Sequence, residues 1–324
     1  MIPNYDVLIV GNSTRVDRIL LEAGCNGGRL KIIGKSAMGH DNIDYKAVAE
    51  FGVLFIHTPE AFTLSCAEFT CGMLLAMSRN MPQACDSMRR LAGIQMFGIS
   101  SHESDEEELE KHMTVNFQNQ CEWGRNAFTG VELYSKVLGI IGLGQVGTAV
   151  ATRMASFGMK ILAYDPHVCP KSASNMGIEC VSLQDLFQNS DFISLHAAYN
   201  NTSHHIVNST TLALCKKNVC LINCAHNGLI NENDLILALN NGNCAAAAID
   251  TYDEDPVANM AYIGHPKIIC TPNLSTCTVE SKRRVSLELL QRLKQAIVEH
   301  WNVVPIPTTT LTEQNRGMSM TSES

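Results

Sequence analysis

The residues Gly142-Leu143-Gly144-Gln145-Val146-Gly147 carry the first chemistry this sequence offers. The pattern G-x-G-x-x-G means little alone. Here it directly follows the apolar run 137–141 and opens a helical pattern over 146–157, the setting in which such a turn holds a dinucleotide pyrophosphate. In that setting Gly142 permits the tight turn, Gly144 lets the backbone approach the phosphates and Gly147 lets the helix pack closely on the strand. The amides that start a helix lack partners within it and lie at the positive end of its dipole, so they suit an anion. About 20 residues further on, Asp165 ends the next apolar run, where a carboxylate accepts hydrogen bonds from the adenosine ribose. Its charge would repel a 2′-phosphate, so NAD is expected in preference to NADP. A glycine turn with no ligand is the competing reading, and the strand–turn–helix setting argues against it.

Such a turn needs a sheet to carry it. Apolar runs at 7–10, 30–33 and 53–56 read as buried strands, with helices over 16–23 and 65–81. The alternation resumes with strands at 137–141, 160–164, 192–195, 219–222, 245–249 and 268–270, and helices over 146–157, 229–239 and 280–300. Strands and helices in turn imply an α/β protein with parallel sheets. Between them, 91–121 is polar and holds the acid run Asp105-Glu106-Glu107-Glu108. The Ser104/Glu107 spacing suits a capping box and hence a short solvated helix. The Thr- and Ser-rich stretch from 309 reads as a disordered tail.

Composition sets outer limits. The 324 residues leave room for two domains, and 45% hydrophobic with 17% charged residues is a globular balance. A net charge of -8 with no Lys/Arg run argues against a nucleic-acid surface. No run approaches the ~18 uninterrupted apolar residues of a membrane helix, and the opening residues show no secretory pattern, so neither membrane nor export is expected. The 13 cysteines are scattered, with no C-x-x-C pair and no Cys/His cluster. Free thiols in a reducing cytoplasm are therefore expected, and no metal.

Around the fingerprint stand Ile33-Gly34, Gly39-His40-Asp41-Asn42-Ile43-Asp44, Thr58-Pro59 and Ala67-Glu68. After it come Tyr164-Asp165-Pro166, Asn223-Cys224-Ala225, Ala248-Ile249-Asp250, Pro256, His265-Pro266 and Pro272. In this order, from residue 30 to about 307, the chain resembles the D-2-hydroxyacid dehydrogenases, most closely the branch acting on 3-phosphoglycerate. The resemblance implies a Rossmann-like, doubly wound parallel sheet over 122–285 that binds NAD. It implies a smaller, flavodoxin-like substrate domain from 1–90 and 286–308, here lacking its opening β-α-β, with 91–121 as an insertion. It places Gln145, Val146 and Ala225 beside the cofactor and Asp250 near the nicotinamide carboxamide. It further implies a small 2-hydroxy acid as substrate, and a dimer with a second copy or with a paralogue.

The family's chemistry uses a histidine that takes the hydroxyl proton, a carboxylate that supports it and an arginine that grips the substrate carboxylate. All three positions differ here. The arginine position is His226, the carboxylate position before Pro256 is Asp255, and the histidine position after Pro272 is Asn273. An amide has no basic nitrogen, and losing a positioned base typically costs ~10²–10⁴ in rate. An imidazole cannot make the bidentate fork of an arginine. A carboxylate one methylene shorter displaces its partner, and ~1 Å can cost ~10²-fold. His226 acting as base from the arginine side is the alternative, at the expense of the carboxylate clamp. His40, His196, His204, His205 and His265 read as structural or surface residues. The substrate loop becomes Lys35-Ser36-Ala37-Met38, Gly11-Asn12 stands where the family has an arginine and a serine, and Gln145 replaces a common fingerprint arginine. Two functions remain open: an NAD-dependent dehydrogenase with altered substrate and impaired catalysis, or a silent NAD-binding sensor or dimer partner.

Overall fold

Short apolar runs become parallel strands here because both faces of each sheet are covered. The computed structural model describes residues 2–11, 13–36, 42–91, 125–252 and 259–299. By internal contact the chain divides into Met1–Thr63 with Thr276–Ser324, and Leu64–Ser275.

The first unit holds a parallel sheet in the order β1 (Val7–Val10), β2 (Ile32–Lys35), β3 (Leu54–His57). On one face Val10, Leu21, Ile33, Ala47 and Val48 form a core with α1 (Arg18–Cys25) and α2 (Tyr45–Glu50). On the other, Ile32 and Ile56 pack against Leu289, Leu293 and Ala296 of the long helix Val279–Glu299. Gly34 makes that contact close: a Cβ there would lie 3.3 Å from the Leu289 side chain. Helix α1 begins at Arg18 because the Asp17 carboxylate accepts from the Leu20 amide. Val16 instead bridges Ile43 in extended form, which shortens the helix expected from 16.

The second unit carries β4 (Val137–Ile141), β5 (Lys160–Tyr164), β6 (Ile178–Cys180), β7 (Phe192–Leu195), β8 (Val219–Asn223), β9 (Cys244–Ile249) and β10 (Ile268–Cys270). They form one sheet in the order β10-β9-β8-β7-β4-β5-β6, and every pairing is parallel. Strand order runs outward from β4 to β6 and then returns to place β7 beside β4. Ligands of open α/β sheets bind at the carboxyl ends of the strands at such a reversal. The doubly wound Rossmann-like sheet expected from the sequence is therefore the observed fold.

Helix α3 (Thr63–Ser78) buries Ala67, Cys71, Met73, Leu74 and Met77 in the core of the second unit with Leu138, Ile140 and Met154. By internal contact this helix opens the second unit, which runs from Leu64 to Ser275. The stretch Pro59–Ser78 is long and apolar enough to cross a membrane by length and composition, yet most of its apolar part is buried within the protein. A further helix, α4 (Met81–Leu91), follows. The insertion expected over 91–121 lies, past Leu91, outside the described residues, as do Asp255 and the tail from 309.

Candidate functional site

The fingerprint sits where β4 meets the reversal, and its glycines differ in what they tolerate. Gly142 has φ +94°, and a Cβ on it would fall 2.5 Å from the Ala197 backbone nitrogen in the segment leaving β7. A Cβ on Gly147 would lie 2.2 Å from the Gly142 carbonyl. Gly144, exposed at the N-cap of α5 (Gln145–Ala155), has nothing within 4 Å of its would-be Cβ. The first and third glycines therefore serve the fold, and the second keeps space open for something outside it. Gly142→Ala is expected to cost at least about 2 kcal/mol, from left-handed strain and a backbone clash. Gly144→Ala is expected to leave the urea midpoint unchanged and to weaken cofactor binding. A matched loss of stability in both variants would contradict this division.

Asp165 follows β5 at the same sheet edge. One carboxylate oxygen accepts from the Leu143 amide at 2.7 Å, and the other from the His167 amide at 2.8 Å. The sequence reading gave this residue to the ribose alone. The structure adds that it ties the fingerprint loop to the neighbouring strand, bringing together two features the sequence places apart.

The other candidate residues leave β8, β9 and β10 at the same edge of the sheet. Buried Asn223 ends β8, donates its side-chain amide to the His226 carbonyl at 2.8 Å and accepts from the Ala225 amide at 3.1 Å. It thereby shapes the turn that holds Ala225 exposed and His226 half-buried. Asp250 follows β9 with 0% exposure. Its carboxylate accepts from Thr271 Oγ1 at 2.6 Å and from the Leu274 and Ser275 amides, each at 2.8 Å. Asp250 therefore anchors the turn after β10. That turn carries Asn273, exposed and in left-handed conformation at φ +53°.

His226 is held in one tautomer. Its Nδ1 accepts from the Gly228 amide at 3.1 Å, which leaves the ring proton on Nε2. Its face stacks on Tyr199, with centroids 4.2 Å apart and planes 7° from parallel. No residue spacing or motif predicts this contact. Only Gly228 signals it, since a Cβ there would meet the Tyr199 ring at 2.4 Å.

His196, after β7, shares a hydrogen bond of 2.9 Å between its Nε2 and Ser194 Oγ. Protein packed around the largely buried ring lowers its pKa from 6.5 to about 4. The unfolded chain takes up this proton near 6.5 and the folded chain resists it, so stability is whole above 6.5 and falls as pH drops towards 4. His196→Gln is expected to flatten that part of the profile, read from urea midpoints at pH 7 and 5. Among the described residues no group of three or more His, Cys, Asp or Glu is placed to hold a metal. His265 accepts from the Lys267 amide at 3.2 Å, as a turn residue does.

The residues present fit a dinucleotide. The open approach at Gly144, an eleven-residue helix starting there and a carboxylate on the next strand are the parts such a ligand needs. The comparisons agree. Residues 108–275 match the family "D-isomer specific 2-hydroxyacid dehydrogenase, NAD binding domain". The D-3-phosphoglycerate dehydrogenase of Sus scrofa is 36% identical over 282 residues, covering 87% of this chain and 47% of that protein. That of Methanocaldococcus jannaschii is 35% identical over 297 residues, covering 91% and 50%. The chain thus spans about half the length of these relatives. A D-lactate dehydrogenase from Aquifex aeolicus, solved with NAD and lactic acid, is 25% identical with a TM-score of 0.72, covering 92% and 84%. This chain belongs to the D-isomer-specific 2-hydroxyacid dehydrogenase family and carries that family's NAD-binding domain.

Proposed function

We propose that this chain binds NAD through Gly142, Gly144, Gln145, Val146, Gly147 and Asp165, and that hydride transfer from a 2-hydroxy acid is severely impaired. The observation that carries this reading is the pair Asn273 and His226. The first has no basic nitrogen, and the second has its one unprotonated nitrogen engaged by the Gly228 amide. When bound, NAD supplies a hydride acceptor. The chain's part is to hold the pyrophosphate on the amides at the start of α5 and to hold the ribose on Asp165. It offers no group to take the hydroxyl proton among the three family positions, Asp255 being the carboxylate that would only support one.

By family analogy we place it in the cytoplasm, as a dimer of two copies or with a paralogue, taking a small 2-hydroxy or 2-oxo acid. Binding without turnover suits a sensor or a silent partner subunit. The intact fingerprint keeps an active enzyme of altered substrate as the rival. NADH formation from 3-phosphoglycerate and a panel of 2-hydroxy acids separates them. The expected result is thermal stabilisation by NAD with turnover no faster than buffer. Asp165→Ala is expected to weaken NAD binding about 10- to 100-fold, as lost charge-assisted hydrogen bonds do. Turnover that vanishes in Asp165→Ala would overturn the proposal.

A further inference from the structure

Two cysteines stand at the same sheet edge as Asp165. After Asp165 the chain runs four residues to Cys169, which caps the short helix Pro170–Ser174. That helix returns along the sheet, and Cys180 then closes β6. Cys180 lies opposite Ala163 of β5, and the next amide, Val181, donates to the Ala163 carbonyl at 2.9 Å. Ala173 of the helix and Ile178 of β6 are buried in one core, and Val168 and Cys180 pack against it. The elements that carry the two thiols are thus held together from beneath.

The two sulfurs differ in character. Cys169 is exposed, and the Ser172 and Lys171 amides that approach its sulfur hold its pKa below the ordinary thiol range. Cys180 is half-buried. Burial raises its pKa, and the charges of Asp165 and Cys169 raise it further, so the two thiols are within electrostatic reach of each other. An exposed, more acidic thiol beside a less acidic one suits an attacking and a resolving cysteine.

We propose that Cys169 and Cys180 form a reversible redox pair, and that their disulfide weakens NAD binding by displacing Asp165. The Cys169 thiolate attacks hydrogen peroxide: a sulfur–oxygen bond forms, the peroxide bond breaks and hydroxide leaves. Sulfur is oxidised to the sulfenic acid and peroxide is reduced. The Cys180 sulfur then attacks that sulfur, so the S–S bond forms and the sulfur–oxygen bond breaks. The departing hydroxide takes the Cys180 proton and leaves as water. A dithiol reverses the change by thiol–disulfide exchange. Eleven positions separate the pair, so the closed loop is short. A disulfide holds its Cα atoms about 4.4–6.8 Å apart. Any movement needed to meet this falls on 166–169, the connection between β5 and the helix. The His167 amide within that connection holds one Asp165 oxygen, so its movement draws the carboxylate from the Leu143 amide that holds the other. The effect on NAD rests on the reading that Asp165 holds the ribose. The pairing does not.

The full chain, reduced and then treated with hydrogen peroxide, is digested without reductant and mapped by mass spectrometry, while calorimetry follows NAD binding before and after. Peptides joined through Cys169 and Cys180 are expected. NAD is expected to bind about tenfold more weakly until a dithiol restores it. Because coupling is reciprocal, bound NAD is expected to slow formation of the link. Cys180→Ser, melting like the parent and treated alike, is expected to hold Cys169 as a sulfenic acid that dimedone traps, and to keep the affinity of the reduced chain. A Cys169 that remains a thiol, or is joined to Cys85 or Cys277 instead, would overturn the pair. An equal loss of affinity in oxidised Cys180→Ser would overturn the part given to the disulfide. A Cys169–Cys180 link with unchanged NAD affinity would overturn the effect on binding. If reduced Asp165→Ala then binds NAD as the parent does, the failure belongs to the ribose reading and the pair stands.

Discussion

Asp250→Ala is expected to destabilise the protein by about 3–5 kcal/mol, read as a fall in the urea midpoint without ligand. The carboxylate is fully buried, and its partners among the described residues lie in the turn after β10: it takes the Thr271 hydroxyl and the Leu274 and Ser275 amides. Alanine leaves two backbone amides and a hydroxyl without the acceptor they were built around. Each buried group so orphaned costs about 1–3 kcal/mol. Asp250→Asn keeps the shape and one acceptor oxygen but turns an NH₂ towards a backbone amide, so it is expected to lose a substantial part of the same stability. The family resemblance puts this residue near the nicotinamide carboxamide. A variant that keeps full stability without ligand and loses only NAD affinity would make that the whole of its role. The geometry instead makes Asp250 the post on which Asn273 is mounted.

The sheet was legible because its strands are buried on both faces. Runs such as 137–141 and 192–195 have no polar residue that matters to their length, so the apolar run and the strand coincide. Strands and helices with one open side were harder to read. β6 is an edge strand, Ile178-Glu179-Cys180, whose middle residue faces solvent, and three residues with a central acid give no run to see. Helix α4 has too few apolar residues to stand out from the polar segment beyond it. The short helix Ser209–Leu214 owes its existence to a capping box between Asn208 and Thr211, a signal present in the sequence but hidden among Ser and Thr.

The same distinction holds at the site. The fingerprint and Asp165 are contiguous with strands, so their chemistry could be read from spacing. The clamp from Asp165 to Leu143, the Asp250 anchor and the Tyr199–His226 stack join residues 21 or more positions apart, and only the folded chain brings them together. His204 and His205 read from the sequence as surface residues. His204 is exposed, yet the pair belongs to a row of rings beside His226.

Restoring the family's groups should give the largest change in activity. Asn273→His combined with His226→Arg and Asp255→Glu is expected to raise kcat/KM for a 2-hydroxy acid by at least ~10², the low end of what a positioned base supplies. The backbone can accept the first change: residue 273 sits at φ +53°, and histidine is among the few side chains enriched in that conformation. The second change has a local cost. Arginine cannot accept the Gly228 amide, and leaving that buried amide unpaired costs about 1–3 kcal/mol, partly offset if the guanidinium stacks on Tyr199. Asn273→His alone should gain much less, because an imidazole without its carboxylate and without a substrate clamp is neither tuned nor aimed. The measurement is NADH formation by all three single variants and the triple variant, each first shown to be stabilised by NAD. If the triple variant binds NAD and still turns nothing over, the obstacle cannot be the proton. It must then lie with substrate capture, where Ala37 puts a methyl group in a loop that the resemblance gives bare backbone, and Ala37→Gly in the triple background becomes the decisive addition.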